Sequence, residues 1–145
     1  MIIDKINHSN YIKEQNFFYI TNFIEQQVFD KLYENQNNLQ HFVWKQITER
    51  IHYPFKLYKD IEHFDQDHEV ICLLFFKDRN QKVLRKDLSL DDTNIVYNQN
   101  CMLIYDNTNK RKFKIKEKTG FNRPVLQFKI SYSEYNNFLK RVKRF

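Results

Sequence analysis

A single glycine, Gly120, serves a chain of 145 residues, where about 7% glycine would be usual. A glycine-rich loop that cradles phosphate cannot be built from one glycine, so that class of nucleotide site is excluded. Turns that need a left-handed backbone must fall to Asn and Asp, which tolerate it and bond their own backbone. Tyr97-Asn98-Gln99-Asn100 and Asp106-Asn107-Thr108-Asn109 suit that task. Cysteine is as sparse. Cys72 and Cys101 are the only two, and both belong to apolar runs, so they read as small core residues rather than reactive or metal-bound thiols. No segment approaches 18 apolar residues and no run of signal-peptide length opens the chain. The expectation is an intracellular protein with no membrane partner. Histidine is absent after His68, which limits where a metal ligand can come from.

Aromatic residues are abundant, with 14 Phe and 9 Tyr in a chain that is 41% hydrophobic. Rings of this size hold a core that is short of aliphatic residues. The length suits one domain spanning 1–145, and no repeat or linker divides it. The net charge is +6, with cations gathered at Lys110–Lys118 and Lys140–Arg144. Such a surface attracts polyanions, although a solvated basic face is the commoner outcome.

Phe17-Phe18-Tyr19-Ile20 reads as a strand. Thr21-Asn22 then offers a cap, with Glu25 three residues beyond Asn22, and the stripe Ile24, Val28, Leu32 predicts a helix that ends over Asn35–Asn38. A second helix is expected over His41–Ile51. Pro54 breaks the helical pattern. Strands are then expected at Tyr53–Lys59, Val70–Phe76, Ile95–Tyr97, Cys101–Tyr105, Phe113–Lys116 and Val125–Tyr132, before a last helix capped by Ser133. Val70–Phe76 is apolar throughout, the mark of a strand buried on both faces. Helices first, strands after and one helix at the end argue for an α+β fold around an antiparallel sandwich or barrel.

The chemically pointed feature is His63-Phe64-Asp65. At a strand end, residues two apart share a face, which would aim the imidazole and the carboxylate together. That pair is part of the ligand set of a non-haem Fe(II) facial triad, which also needs a second His.

From Asn16 to Ile130 the order of elements resembles the 2-oxoglutarate- and Fe(II)-dependent oxygenase superfamily, in its prolyl-4-hydroxylase-like branch. The resemblance rests on a strand leading into a helix (Phe17 to Asn35), on His63-Phe64-Asp65 before the apolar strand Val70–Phe76, and on the Asn-rich turn into Cys101–Tyr105. It also rests on Arg123 in Asn122-Arg123-Pro124-Val125. It implies a double-stranded β-helix, a jelly-roll-like antiparallel sandwich preceded by two helices and followed by one. It further implies His63 and Asp65 as metal ligands, Arg123 as the grip on 2-oxoglutarate, and a hydroxylase if the site is active. Counting back ten from Arg123, where the family has its distal His, gives Phe113, which cannot bind iron. A member with an incomplete iron site, and one that recruits His68, His52 or His41, both remain open. What the resemblance leaves as a partner is a small carboxylate or an unknown substrate.

A different class of function is also open. Lys110, Lys112, Lys114 and Lys116 alternate with Arg111, Phe113 and Ile115, so a strand here would carry a ridge of four lysines. With nearby aromatics such a ridge suits single-stranded nucleic acid, while on an edge strand it serves to discourage aggregation. Trp44, beside Phe42 and Val43, would be an anchor if the chain is a subunit of a larger complex, or a core residue if not.

Overall fold

The computed structural model describes residues 10–12, 17–34, 54–76, 85–97, 99–115 and 123–142. The expected helix at His41–Ile51, with Trp44, His41 and His52, lies outside the described residues, as does Lys116. Nine strands and two α-helices are present among the described residues: β1 (Asn10–Ile12), β2 (Phe17–Ile20), a helix (Gln26–Glu34), β3 (Phe55–Tyr58), β4 (Val70–Phe75), β5 (Arg85–Leu90), β6 (Thr93–Tyr97), β7 (Met102–Asp106), β8 (Phe113–Ile115), β9 (Val125–Phe128) and a closing helix (Tyr132–Val142). The class is mixed α+β, with strands that pair antiparallel throughout.

Six strands form one sheet in the order β1-β2-β7-β4-β9-β3, and three form another in the order β6-β5-β8. β4 is central and buried at every position, as its unbroken apolar run predicts. Its side chains alternate between two cores. Val70, Cys72 and Leu74 join Phe18, Ile104, Leu126 and Phe128 under the helices, against Phe23, Phe29 and Tyr135. Ile71, Leu73 and Phe75 join Leu103, Tyr105 and Val125 on the other face, against Leu88, Leu90, Ile95 and Phe113 of the small sheet. The result is three layers: helices, large sheet, small sheet. Cys72 touches Met102 (Sγ to Sδ 3.3 Å), and burial pushes its thiol far above the ordinary range, so it stays a neutral core residue.

The scarcity of glycine is met by Asn and Asp at four of the five positive-φ positions among the described residues, Asn22, Asp91, Asp92 and Asn100; the fifth is Lys110, just past the Asp106–Asn109 stretch where Asn or Asp was expected to take that role. Asp91 and Asp92 form the two-residue turn between β5 and β6, where a type I′ hairpin requires positive φ twice. Asn100 (φ 58°) is 1% exposed, accepts from the Ile24 N–H (3.1 Å) and donates to the Ile24 carbonyl (2.7 Å). Its own backbone binds Phe23 and Phe75. Asn100 thus ties the entry of the first helix to the adjoining ends of the interior strands β4 and β7.

Several sequence expectations shift. The first helix starts at Gln26, and Asn22 lies in a positive-φ bend rather than at its cap. The closing helix is capped by Ser131, whose Oγ accepts from Glu134 N (3.2 Å), not by Ser133. The last strand therefore stops at Phe128 rather than Tyr132. β1 and β5 were not anticipated. β5 begins Arg-Lys-Asp, and its pattern turns apolar only at Leu88 and Leu90.

Candidate functional site

The segment holding His63-Phe64-Asp65 is a 3-10 turn, Ile61–His63, and not a strand end. Asp60 caps it by accepting from Glu62 N (3.1 Å), and Ile61 N donates to the Arg123 carbonyl (2.8 Å). A 3-10 turn has three residues per turn, so Ile61 and Phe64 share a side, and both are buried. His63 faces outward and is exposed. The alternation expected of a strand, with 63 and 65 facing in together, is therefore replaced by a period of three.

Asp65 is half-buried, and its backbone is gripped on both sides by Gln127. Asp65 N donates to Gln127 Oε1 and Gln127 Nε2 donates to the Asp65 carbonyl, each at 2.9 Å. The Asp65 carboxylate accepts from Asp67 N (2.9 Å), a local Asx turn. Phe64 meets Phe113 edge to face, with ring centroids 5.0 Å apart at 84°. Arg123 is buried at 7% exposure. The fold thus brings the 61–65 segment to both distant positions that the sequence singled out, Phe113 through Phe64 and Arg123 through Ile61. It does not bring the imidazole of His63 inward with them.

His68 is half-buried, and its Nε2 is sealed from solvent without a hydrogen-bond partner. The surrounding loop is organised by Asn107, whose Nδ2 donates to the carbonyls of Gln66 (2.7 Å) and His68 (3.1 Å), while its N–H donates to Glu69 (2.7 Å). Its Oδ1 accepts from Arg111 N (2.9 Å). The sequence points to Asn107 only as one residue of the Asp106–Asn109 turn, and it does not point to Gln127. The one available signal for Gln127 was a lone polar residue inside the run Val125-Leu126-Gln127-Phe128.

The cations around Lys112 are interleaved with carboxylates. β8 spans only Phe113–Ile115, so Lys110 and Lys112 precede the strand and the ridge of four lysines on one strand face does not form. Lys110, Lys112 and Lys114 are exposed. Arg111 Nε donates to Asp91 Oδ2 (2.7 Å) and its guanidinium lies 5.5 Å from the Tyr105 ring centre. Lys114 Nζ lies 3.7 Å from Asp92. Burial pushes the Tyr105 phenol well above its ordinary range. Partial burial also pushes Asp91 upward. The hydrogen bonds from Arg111 and from the Lys112 backbone, with both positive charges, outweigh that and hold its carboxyl below the usual carboxylate value.

This fixes a sign for pH dependence. A depressed folded-state value means Asp91 stabilises the fold above its unfolded value, near 3.9, and loses that contribution as pH falls through the lower folded value. The stability gap between the protein and Asp91→Asn should be constant near pH 6 and close progressively as the pH falls below the ordinary carboxylate value. The Asp91 side chain is 47% exposed, so the gap should stay within about 1 kcal/mol. Chemical unfolding in a pH series measures it, and a gap that widens on acidification would contradict the assignment.

A facial triad needs two His and a carboxylate around one iron. Phe113 has no donor atom, His63 faces solvent, and Asp65 is committed to its own loop. Among the described residues, no group of three or more His, Cys, Asp or Glu is placed to hold a metal ion. The described residues do not complete the iron site that the resemblance implies. Arg123 is of the type that binds a carboxylate bidentately. No helix of the described residues is long and apolar enough to cross a membrane. No protein-family model matches the chain, and no curated protein or solved structure matches it.

Proposed function

We propose that this chain is a 2-oxoglutarate/Fe(II) oxygenase-like double-stranded β-helix with an incomplete iron site, in which Arg123 remains the anchor for a small carboxylate. The observation that carries the reading is the pairing of its strands. Let the segments from β3 to β9 be numbered one to eight, with 61–65 as the second. A long antiparallel ribbon folded on itself pairs one with eight, two with seven, three with six and four with five. Coiling it into a jelly roll adds eight beside three and seven beside four. The pairs here are β3–β9, β4–β7 and β5–β6 along the ribbon, and β4–β9 and β5–β8 across it. The sixth pairing, two with seven, is represented by the contact of Phe64 with Phe113.

In such a roll, Phe113 opens the seventh strand and Arg123 lies two residues before the eighth. Both positions support the residue-by-residue resemblance. Its departure at Phe113 removes the ligand that would complete the triad.

Calorimetric titration with Mn(II), standing in for Fe(II), tests the metal half of the proposal. No saturable micromolar binding is expected. Micromolar binding that disappears in His63→Ala and Asp65→Ala would instead mark a working hydroxylase with a recruited ligand, and would overturn the reading. The carboxylate half is read by thermal unfolding. A ligand at 100 times its Kd adds about 2.7 kcal/mol. Without metal, 2-oxoglutarate should raise the midpoint of the protein by several degrees and leave that of Arg123→Gln unmoved. No shift at millimolar 2-oxoglutarate would remove Arg123 as an anchor.

A further inference from the structure

We infer that Phe64 and Phe113 form an apolar strut that fastens the 61–65 segment to β8, in the place where an oxygenase-like roll would use a metal, and that His63 and Asp65 are held out of the interior by their backbone. The inference takes its meaning from the oxygenase-like reading, but its geometry stands without it.

Three observations carry it. First, the inward residues of the segment are Ile61 and Phe64, both buried, while His63 is exposed. Turning His63 inward would mean advancing the segment by one residue, which would expel Phe64 from its contact. Secondly, that advance is opposed at both ends. Ile61 N is bonded to the Arg123 carbonyl, and both backbone groups of Asp65 are bonded to the buried amide of Gln127. A shift would leave these groups without partners inside the fold, which is costly. Thirdly, Phe113 is nearly buried and its ring stands almost perpendicular to that of Phe64, the edge-to-face arrangement that aromatic pairs favour. The space between segment and strand is therefore closed by two rings. A metal bridge would require polar donors from both sides.

The inference separates two positions that the sequence motif treats together. Position 64, and not 63 or 65, is opposite 113. Introducing the absent histidine at 113 would consequently not rebuild a triad with His63 and Asp65.

Two measurements test this. A double-mutant cycle of Phe64→Leu, Phe113→Leu and the pair, read by urea unfolding, should show coupling of about threefold to tenfold in the unfolding constant. Leucine keeps both sites apolar, so the variants are chosen to fold. Additive effects would overturn the strut. Separately, Phe113→His titrated with Co(II), followed by its visible absorption, should gain no micromolar affinity. If it gains affinity that Asp65→Ala or His63→Ala then abolishes, the side chain so identified reaches the interior and the inferred register is wrong. Coupling without any 2-oxoglutarate shift would leave the strut standing and remove the carboxylate function. A 2-oxoglutarate shift without coupling would do the reverse.

Discussion

Asn100→Ala should destabilise the protein by about 3 kcal/mol or more, the largest effect expected of any single polar substitution among the described residues. The loss has two sources. Alanine removes the acceptor for Ile24 N and the donor to the Ile24 carbonyl, leaving two backbone groups unpaired at about 1–3 kcal/mol each. It also puts a Cβ without compensating hydrogen bonds at φ 58°, which costs about 1–2 kcal/mol more. Asn100→Gly separates the two sources, because glycine accepts the dihedral freely but supplies no side-chain bond. It should recover about 1 kcal/mol relative to alanine and no more. Urea unfolding with an unchanged m-value reads both variants. A loss below about 1 kcal/mol for Asn100→Ala would mean that the entry to the first helix is held by something other than this side chain.

Gln127→Leu should cost about 2–4 kcal/mol, and its effect should be concentrated on the 61–65 segment. The Gln127 amide pairs with Asp65 as a neighbouring strand would, donor to acceptor and acceptor to donor. Leucine fills a similar volume and offers neither, so the part-buried N–H and carbonyl of Asp65 lose their partners together. Gln127→Glu keeps the acceptor for Asp65 N but sets a buried carboxylate against the Asp65 carbonyl, so at neutral pH it should be no milder than leucine. Amide exchange at Asp65 should accelerate in Gln127→Leu well beyond the global change. If exchange at Asp65 rises only in step with global stability, the latch is not local and the role assigned to Gln127 is wrong.

The layers of the fold were legible where burial is regular. Val70–Phe75 declares itself by an unbroken apolar run, and Phe17–Ile20, Phe113–Ile115 and Val125–Phe128 by aromatic and branched residues. Local pattern could not give the face presented by His63. A strand and a 3-10 turn differ at this point by a cap from Asp60 and by a bond to Arg123, whose carbonyl comes from a remote part of the chain. The same holds for the polar side chains that pin the loops. Gln127 reaches across 62 residues of sequence and Asn100 across 76, so their partners are set by topology and no short window contains both ends. β5 stayed hidden for another reason. Charged residues occupy its first half, and the covering of Ser89 between Leu88 and Leu90 depends on neighbours that a sequence pattern does not name.

The reliance on asparagine in place of glycine also bears on how the protein ages. Asparagine side chains are lost fastest when the following backbone nitrogen can swing freely onto the amide carbon, which is easiest when glycine comes next. The lone glycine here follows Thr119, so no Asn-Gly pair exists anywhere in the chain. At Asn100 the next residue is Cys101, whose carbonyl is tied to Phe75 N, and the Asn100 amide is itself engaged with Ile24. Conversion to aspartate there would place a carboxylate in a buried site and face it with a carbonyl it cannot bond. A turn chemistry that first looks like a shortage thus also gives the molecule chemical durability, keeping its most consequential amide away from the quickest route of spontaneous decay.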